Sequence, residues 1–309
     1  MFISVIIPTL NRPTFIVDAV RSILCGTHQQ FEIIVVDQTC DSSTRDALVS
    51  LMRDARVRYI STPRPGASAA RNLGVAASSA DVIVFTDDDV EARPDWLELI
   101  AREFSADPKL QFITATLAAP AYDREQGFVP EFRPCPTITS WRLPLAVSNA
   151  NLSMRRRLFD QIGGYDELCG PGGLLKSSDD GDITLRVVRS GAKWKACPEI
   201  EVVHVHGFRP HSAAERLLDD YEYGNGGVYG RALRRGDYLA GGWFLLRELG
   251  RLLQAVAGPW RGARPNTRWQ LRMRGFWHGF RLPPRDGFPG LSDLRQHAGL
   301  ILIIGLQFL

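Results

Sequence analysis

Short runs of apolar, mostly β-branched residues recur through the first hundred positions, each followed by a polar turn and a stretch with helical spacing. Residues 2–7 read as a strand, then Pro8-Thr9-Leu10-Asn11-Arg12-Pro13 forms a loop, with Pro13 in the first turn of a helix ending near Leu24. Residues 31–37 make a second apolar strand, 42–53 a helix, 57–61 a third strand, and 67–78 a helix entered through Pro65-Gly66. Residues 81–86 and 94–104 complete a fourth strand and helix. Four such units in about 105 residues predict an α/β fold with a doubly wound, mostly parallel sheet.

The pattern loosens after that. Residues 110–116 suit a strand, whereas 118–144 hold five prolines and read as a long loop over one face. A short strand at 148–154 and a short helix at 156–162 follow, the helix stopped by Gly163-Gly164. Residues 179–190 are helical, and 193–197 and 200–204 are two short strands. Beyond Pro210 the spacing is helical throughout, at 212–235, 239–257 and 266–280. Two units are expected, an α/β domain over 1–210 and a helical extension over 211–309.

Charge divides along the same boundary. The whole chain carries +3, but thirteen arginines and no lysine face four carboxylates from residue 231 on, which makes the tail +9 and leaves −6 for the rest. Five scattered cysteines show no metal-ligand spacing and suit reduced thiols in a cytoplasmic protein. The first residues lack a basic leader, and no stretch reaches the roughly 18–20 apolar residues that span a bilayer. Residues 239–256 mix leucines and aromatics with Arg247 and Arg251, so this basic tail suits either an anionic membrane surface or an apolar face packed on the catalytic domain or a second subunit. The charge alone would also suit nucleic acid, but no recognition motif accompanies it and none is expected to bind.

The densest candidate chemistry is Asp87-Asp88-Asp89, directly after the fourth apolar strand. The C-terminal ends of parallel strands are where open α/β sheets bind ligands. Three adjacent carboxylates repel one another, and Mg²⁺ or Mn²⁺ bridged to nucleotide phosphates would offset them. The plainer reading is a solvated turn capping the next helix. Asp37 ends the second strand and can accept from a base edge, or serve as a turn residue. Neither G-x-G-x-x-G nor a Walker sequence is present, which argues against dinucleotide and P-loop readings.

Four stretches occur in order and at matching distances: Ser4-Val5-Ile6-Ile7-Pro8-Thr9-Leu10-Asn11-Arg12, Ile33-Ile34-Val35-Val36-Asp37-Gln38, Pro65-Gly66-Ala67-Ser68-Ala69-Ala70-Arg71-Asn72-Leu73-Gly74 and Val84-Phe85-Thr86-Asp87-Asp88-Asp89. Together they resemble the family 2 glycosyltransferases, with the GT-A fold, over about residues 2–205. The resemblance implies an inverting, metal-dependent transfer of one sugar from a nucleotide-diphosphate donor to a saccharide or lipid-linked acceptor. It implies that Pro8, Thr9, Asn11, Arg12, Asp37 and Arg71 line the donor site. Asp88 would touch the ribose, Asp89 would ligate Mg²⁺ or Mn²⁺, and Asp87 would support them.

The family's G-E-D-x-D-L-x-x-R is similar to Ser178-Asp179-Asp180-Gly181-Asp182-Ile183-Thr184-Leu185-Arg186, with Asp179 in place of Glu. The resemblance makes Asp180 the base; simple helix capping by Asp179 is the plainer reading. Of His204 and His206, one resembles the third metal ligand, with His204 favoured on a strand where alternate residues share a face. Arg209 is expected beside the diphosphate. Residues 148–156 and 163–167 resemble the acceptor-side strand and loop, with 170–173 a flexible loop beside the catalytic helix. Trp141 and Tyr165 suit either stacking on a sugar or packing. The processive Q-x-x-R-W pattern is not met at Trp269–Arg274. Two rivals stay open: a nucleotidyltransferase on a related sheet, and a non-catalytic membrane adaptor. The expected location is cytoplasmic, with a peripheral seat on the inner face of the plasma membrane as the option raised by the tail.

Overall fold

A computed structural model describes residues 1–134, 147–257 and 268–283. The elements run β1 (Ile3–Thr9), α1 (Pro13–Leu24), β2 (Phe31–Asp37), α2 (Ser43–Leu48), β3 (Val57–Ser61), α3 (Ala67–Ala77), β4 (Val82–Phe85), β5 (Glu91–Ala92) and α4 (Trp96–Ala106). They continue with β6 (Phe112–Ala118), β7 (Gly127–Phe128), β8 (Leu152–Arg155), α5 (Arg156–Gln161), α6 (Asp179–Arg189), β9 (Trp194–Val203) and β10 (Arg209–Pro210). Three helices close the chain: α7 (His211–Arg234), α8 (Tyr238–Ala257) and α9 (Trp269–Arg281).

Eight strands form one sheet in the order β3-β2-β1-β4-β8-β6-β9-β5. Strands β3, β2, β1 and β4 are parallel, β8 runs antiparallel between β4 and β6, and β6 pairs parallel with β9. Every residue of β1, β2 and β4 is buried, as strands covered on both faces require. Alternate side chains feed two cores. Val5, Ile33, Val35 and Val84 pack with Ile16 and Val20 of α1 and Phe104 of α4. Ile6, Ile34, Val36 and Phe85 pack with Val75 of α3, Phe159 of α5 and Ile183 of α6. The sheet is therefore doubly wound, as the periodicity predicts.

Local departures have local causes. The predicted helix at 42–53 stops at Leu48 and resumes as a 3₁₀ turn at Leu51–Arg53, because Thr44 and Leu48 are the only residues α2 buries. The two predicted strands at 193–204 are one strand, β9, whose register against β6 slips between Ala115 and Thr116. Thr116 Oγ1 donates to the Pro198 carbonyl at 2.9 Å there, so the bulge absorbs the proline that had looked like a break. The strand predicted at 148–154 opens instead as a 3₁₀ turn, Asn149–Asn151, capped by the Ser148 side chain.

The helical extension is fastened to α6 and to the segment before it by buried ion pairs. Arg231 meets Asp166 at 2.7 Å, Arg189 meets Asp237 at 2.7 Å, and Arg235 reaches both Asp166 and Asp182. Helices α7 and α9 cross so closely that a Cβ at Gly226, Gly230, Gly275 or Gly279 would run into the facing backbone. Only glycine permits that approach. Among the described residues, no helix is long and apolar enough to cross a membrane, and Cys25, Cys40, Cys169 and Cys197 are free. Trp141 and the apolar run at 298–309 lie outside the described residues.

Candidate active site

Parallel pairing brings three strand ends to one edge. Thr9, at the end of β1, lies in register with Asp37 at the end of β2, and the segment after β4 turns across both. Thr9 Oγ1 donates to Asp88 Oδ2 at 2.7 Å. Arg12, the residue preceding α1, donates from Nη1 to Asp88 Oδ1 at 2.7 Å and to Asp89 Oδ2 at 3.1 Å. Pro8 is buried beneath this edge; Asn11 is exposed at a φ of 56° and donates its N–H to Thr39 Oγ1 at 2.8 Å. Asp37 is fully buried. Its Oδ1 accepts from the Thr39 N–H at 2.8 Å and its Oδ2 from the Tyr59 hydroxyl at 2.7 Å.

A single buried guanidinium joins this edge to α6. Arg71, on α3, donates from Nη2 to Asp87 Oδ1 at 2.6 Å and from Nη1 to Asp179 Oδ2 at 2.7 Å. Asp179 Oδ2 also accepts from Asn149 Nδ2 at 2.9 Å, and Asn149 Oδ1 accepts from the Tyr165 hydroxyl at 2.8 Å. The backbone turns tightly beneath them: Gly170 has a φ of +87°, and a Cβ on it would meet the Asp179 carboxyl at 2.7 Å. The 170–173 loop thus lies beside α6, tied by Gly170 N–H to Ser177 O at 3.1 Å and by Ala67 N–H to Pro171 O at 3.0 Å.

Asp180, the next residue, is held differently. Its Oδ1 accepts from the Gly181 N–H at 2.7 Å, and its other oxygen takes no hydrogen bond from a described residue. Burial, and then the neighbouring charge of Asp179, push its pKa up to about 8. Asp179 is also raised by burial, against the pull of Arg71. Tyr221 of α7 is 38% exposed, yet its phenol is raised to about 12, by desolvation first and then by the charges of Asp180 and Asp87.

His204 stands in the turn after β9, with Nε2 3.3 Å from Asp89 Oδ1 and Nδ1 2.9 Å from the Pro130 carbonyl. With Nδ1 donating to that carbonyl, Nε2 faces Asp89: protonated it pairs with the carboxylate, and neutral it would offer its lone pair to a metal ion, the orientation by which a backbone acceptor fixes a ligating imidazole. Burial would raise Asp89, but His204, Arg12 and Arg209 hold it down at about 2. Burial raises Asp88 to about 6 in spite of Arg12. Carboxylate oxygens with one imidazole nitrogen are a donor set that fits Mg²⁺ or Mn²⁺.

Of the two candidate histidines, His204 is the one the structure brings to Asp89, and His206 turns away. The strand ends at Val203, so alternation no longer puts both rings on one face. The His206 ring stacks on Phe15 at 4.1 Å and points Nε2 at Asp18, 3.2 Å away. Tyr165 is likewise packing: it is fully buried, edge-on to Phe85 at 5.1 Å, and has no face for a sugar. Arg209 lies 3.6 Å from Asp89. A second acidic group, Asp166, Cys169 and Asp182, gathers within 4.8 Å of itself. Arg186, Arg231 and Arg235 already neutralise its carboxylates, which makes it an ion-pair seam. Tyr59 and Asn149 carry no local signal of these contacts, since one reaches Asp37 through sheet pairing and the other reaches Asp179 across the fold.

The family model described as Glycosyl transferase family 2 matches residues 4–163. An uncharacterized glycosyltransferase of Rickettsia conorii is 34% identical over 97 residues, which is 31% of this chain and 16% of that protein. The chain therefore spans only a small part of that relative. A glucosyl-dolichyl phosphate glucuronosyltransferase of Haloferax volcanii is 28% identical over 182 residues, covering 55% of this chain and 58% of its own length. Among solved structures, the mannosyltransferase PcManGT of Pyrobaculum calidifontis, in complex with GDP-Man and Mn²⁺, superposes with a TM-score of 0.61 at 16% identity. That match covers 90% of this chain and 87% of the other, and it extends the shared GT-A architecture into the helical extension.

Proposed function

The chain belongs to glycosyl transferase family 2, and on that premise we propose that it is an inverting enzyme assisted by a divalent ion. It moves one sugar from a nucleotide-diphosphate sugar to a hydroxyl of a saccharide or lipid-linked glycan. The observation that carries this reading is the Arg71 bridge. By holding Asp87 and Asp179 on its two arms, Arg71 ties the acidic strand end to the helix that presents Asp180.

Asp180 accepts the acceptor's proton at the oxygen that takes no hydrogen bond from a described residue. Its raised pKa makes it a competent base near neutral pH. The activated hydroxyl then attacks the anomeric carbon on the face opposite the departing diphosphate, as water does in inverting glycoside hydrolysis. Asp179 is the positioning residue: three side chains already engage one of its oxygens, so it orients the helix start. Arg12 and Arg209 stand beside Asp88 and Asp89 with donors for phosphate oxygens. Asp89 and His204 would hold Mg²⁺ or Mn²⁺, which when bound supplies charge neutralisation of the diphosphate. Asp37, with Pro8, Thr9 and Asn11, lines the side on which the base is read. The Mn²⁺ and GDP-Man of the Pyrobaculum neighbour support a metal and a nucleotide sugar, and the Haloferax relative's name supports a lipid-linked acceptor.

Incubating the chain with UDP-, GDP- and dTDP-sugars, Mn²⁺ and candidate acceptors tests the reading. Nucleoside diphosphate and an inverted glycoside are expected. Pyrophosphate would instead identify a nucleotidyltransferase, and absence of Mn²⁺-dependent nucleotide binding would identify an adaptor.

A further inference from the structure

Helix α7 begins beside one side of the cleft and is tied to the other. It follows directly on β10, whose Arg209 lies 3.6 Å from Asp89, and its first residue, His211, has Nε2 2.9 Å from the Glu125 carbonyl. About four turns on, Ser178 Oγ donates to Asn225 Oδ1 at 2.6 Å and Ser177 Oγ to the Asp220 carbonyl at 2.8 Å, immediately before Asp179 and Asp180. A Cβ on Gly224 would run into Ser177, so the helix and the start of α6 are in direct contact there. The first part of α7 therefore runs from the Asp89 side of the cleft to the Asp180 side.

One row of the helix faces along that path. At about 100° per residue, Ala214, Leu218, Tyr221 and Asn225 fall within roughly 60° of one another. Both ends of the row are engaged. Ala214 is buried, at the end of the helix that packs on β7 and β10, and Asn225 holds Ser178. The middle is open, with Leu218 36% and Tyr221 38% exposed. A row that meets the protein at both ends and is open between them spans a gap. Charge identifies the gap: after desolvation, the groups that shift the Tyr221 phenol are Asp180, Asp87, Arg209 and Asp179, all of them residues of the cleft. Among the described residues the Tyr221 ring has no aromatic or cationic partner, and its hydroxyl makes no hydrogen bond.

We infer that the ring of Tyr221, with Leu218 one turn before it, is the platform on which the acceptor's sugar ring lies when its hydroxyl meets Asp180. A pyranose has an apolar C–H face and a hydroxylated rim. An open aromatic ring suits the face, and the Asp180 oxygen that takes no hydrogen bond from a described residue suits the rim. The inference rests on the transferase reading for the role of Asp180 and deepens it. It makes the acceptor a saccharide at its reacting end, and it makes α7 of the helical extension a wall of the active site rather than a support behind it.

Saturation-transfer NMR on the full chain tests this, with Mg²⁺, each of UDP, GDP and dTDP, and the methyl glycosides of glucose, galactose, mannose and N-acetylglucosamine. At least one glycoside is expected to receive saturation at its ring protons. Tyr221→Ala should weaken its Kd at least about tenfold, and Tyr221→Phe, which keeps the ring, less than about threefold. Thermal midpoint and Mg²⁺–nucleotide binding should stay as in the parent for both. The inference is overturned if no glycoside binds the parent, if the alanine variant binds as the parent does, or if the phenylalanine variant loses as much as alanine. It also fails if the alanine variant loses nucleotide binding, which would move the ring to the donor. Should Tyr221→Ala not fold, Tyr221→Leu, which keeps bulk without an aromatic face, is held to the same criteria. Glycoside binding is read without any sugar donor, so its failure is distinct from a failure of the transferase reading, which shows as absence of nucleoside diphosphate in the transfer assay.

Discussion

Asp180 and Asp182 stand two residues apart on α6 and serve two regions with opposite electrostatics. At the seam with the helical extension, Asp182 meets Arg186 at 2.7 Å and also Arg235, while Asp166 meets Arg231. Burial alone would raise Asp182, but these cations hold it far below the usual carboxylate range. In the cleft, Asp180 receives one backbone N–H and faces Asp179 and Asp87, and it rises to about 8. The two side chains are chemically identical. The cations that reach them decide which one holds the protein together and which one keeps an oxygen available for chemistry.

The largest effect should come from breaking the cleft side. Asp180→Asn should lower turnover by about 10²–10⁴ while donor binding persists, as measured by steady-state kinetics beside calorimetry. Stability should hold or rise. A carboxyl whose folded pKa is raised loses folded-state stability as pH climbs from its unfolded value near ~3.9 toward 8, so its removal relieves the native state at neutral pH. Near-parental turnover would take Asp180 out of the base role.

Breaking the seam should do the reverse. Arg235→Ala leaves Asp182 to Arg186 and Asp166 to Arg231, each with one cation fewer, and should cost about 1.5–3 kcal/mol of stability, read as a drop in denaturant midpoint. Asp182 has a depressed folded pKa, so its contribution is present above its unfolded value near ~3.9 and is lost as pH falls below it. The variant should therefore lose much of the parent's acid-side slope. If the midpoint barely moves, the seam is not what secures the extension.

A pH profile sharpens the contrast without mutation. Asp180 must be ionised to accept a proton, so kcat/KM should rise about tenfold per pH unit below its pKa and level off above about 8. A profile flat from pH 6 to 9 would disconnect the raised carboxyl from the rate.

What could be read from the chain divides along the same regions. The sheet follows from local period: β1, β2 and β4 are continuous apolar runs, and their acidic ends, Asp37 and Asp87 to Asp89, are visible as letters. Arg71 stands within a quoted motif, but its two-armed bridge to Asp87 and Asp179 spans over a hundred residues to the second partner and has no local trace. Alternation could not separate His204 from His206, because it holds only inside a strand and β9 ends at Val203, before either of them. The extension was legible as helices with an apolar face, but not the details of its packing. Its crossing depends on glycines in α7 and α9 meeting backbone, and its docking on arginines whose carboxylate partners lie elsewhere in the chain. Some of those arginines are buried; the ones left outside give the surface its charge.

Asp37 belongs by position to the cleft and by pairing to the scaffold, so it offers the finest test of the comparison. It is fully buried, and each oxygen already accepts one hydrogen bond, from Thr39 and from Tyr59. A carboxylate oxygen has lone pairs for more than one donor, so these bonds can aim it at a base without exhausting it. Tyr59→Phe removes the Oδ2 bond and should cost about 1 kcal/mol. If Asp37 is an aimed acceptor, that loss should appear as a donor KM about fivefold higher with kcat unchanged, and should differ among UDP-, GDP- and dTDP-sugars. If the same loss appears only in the thermal midpoint, with KM constant for every donor, Asp37 joins Asp166 and Asp182 as a carboxylate that holds structure.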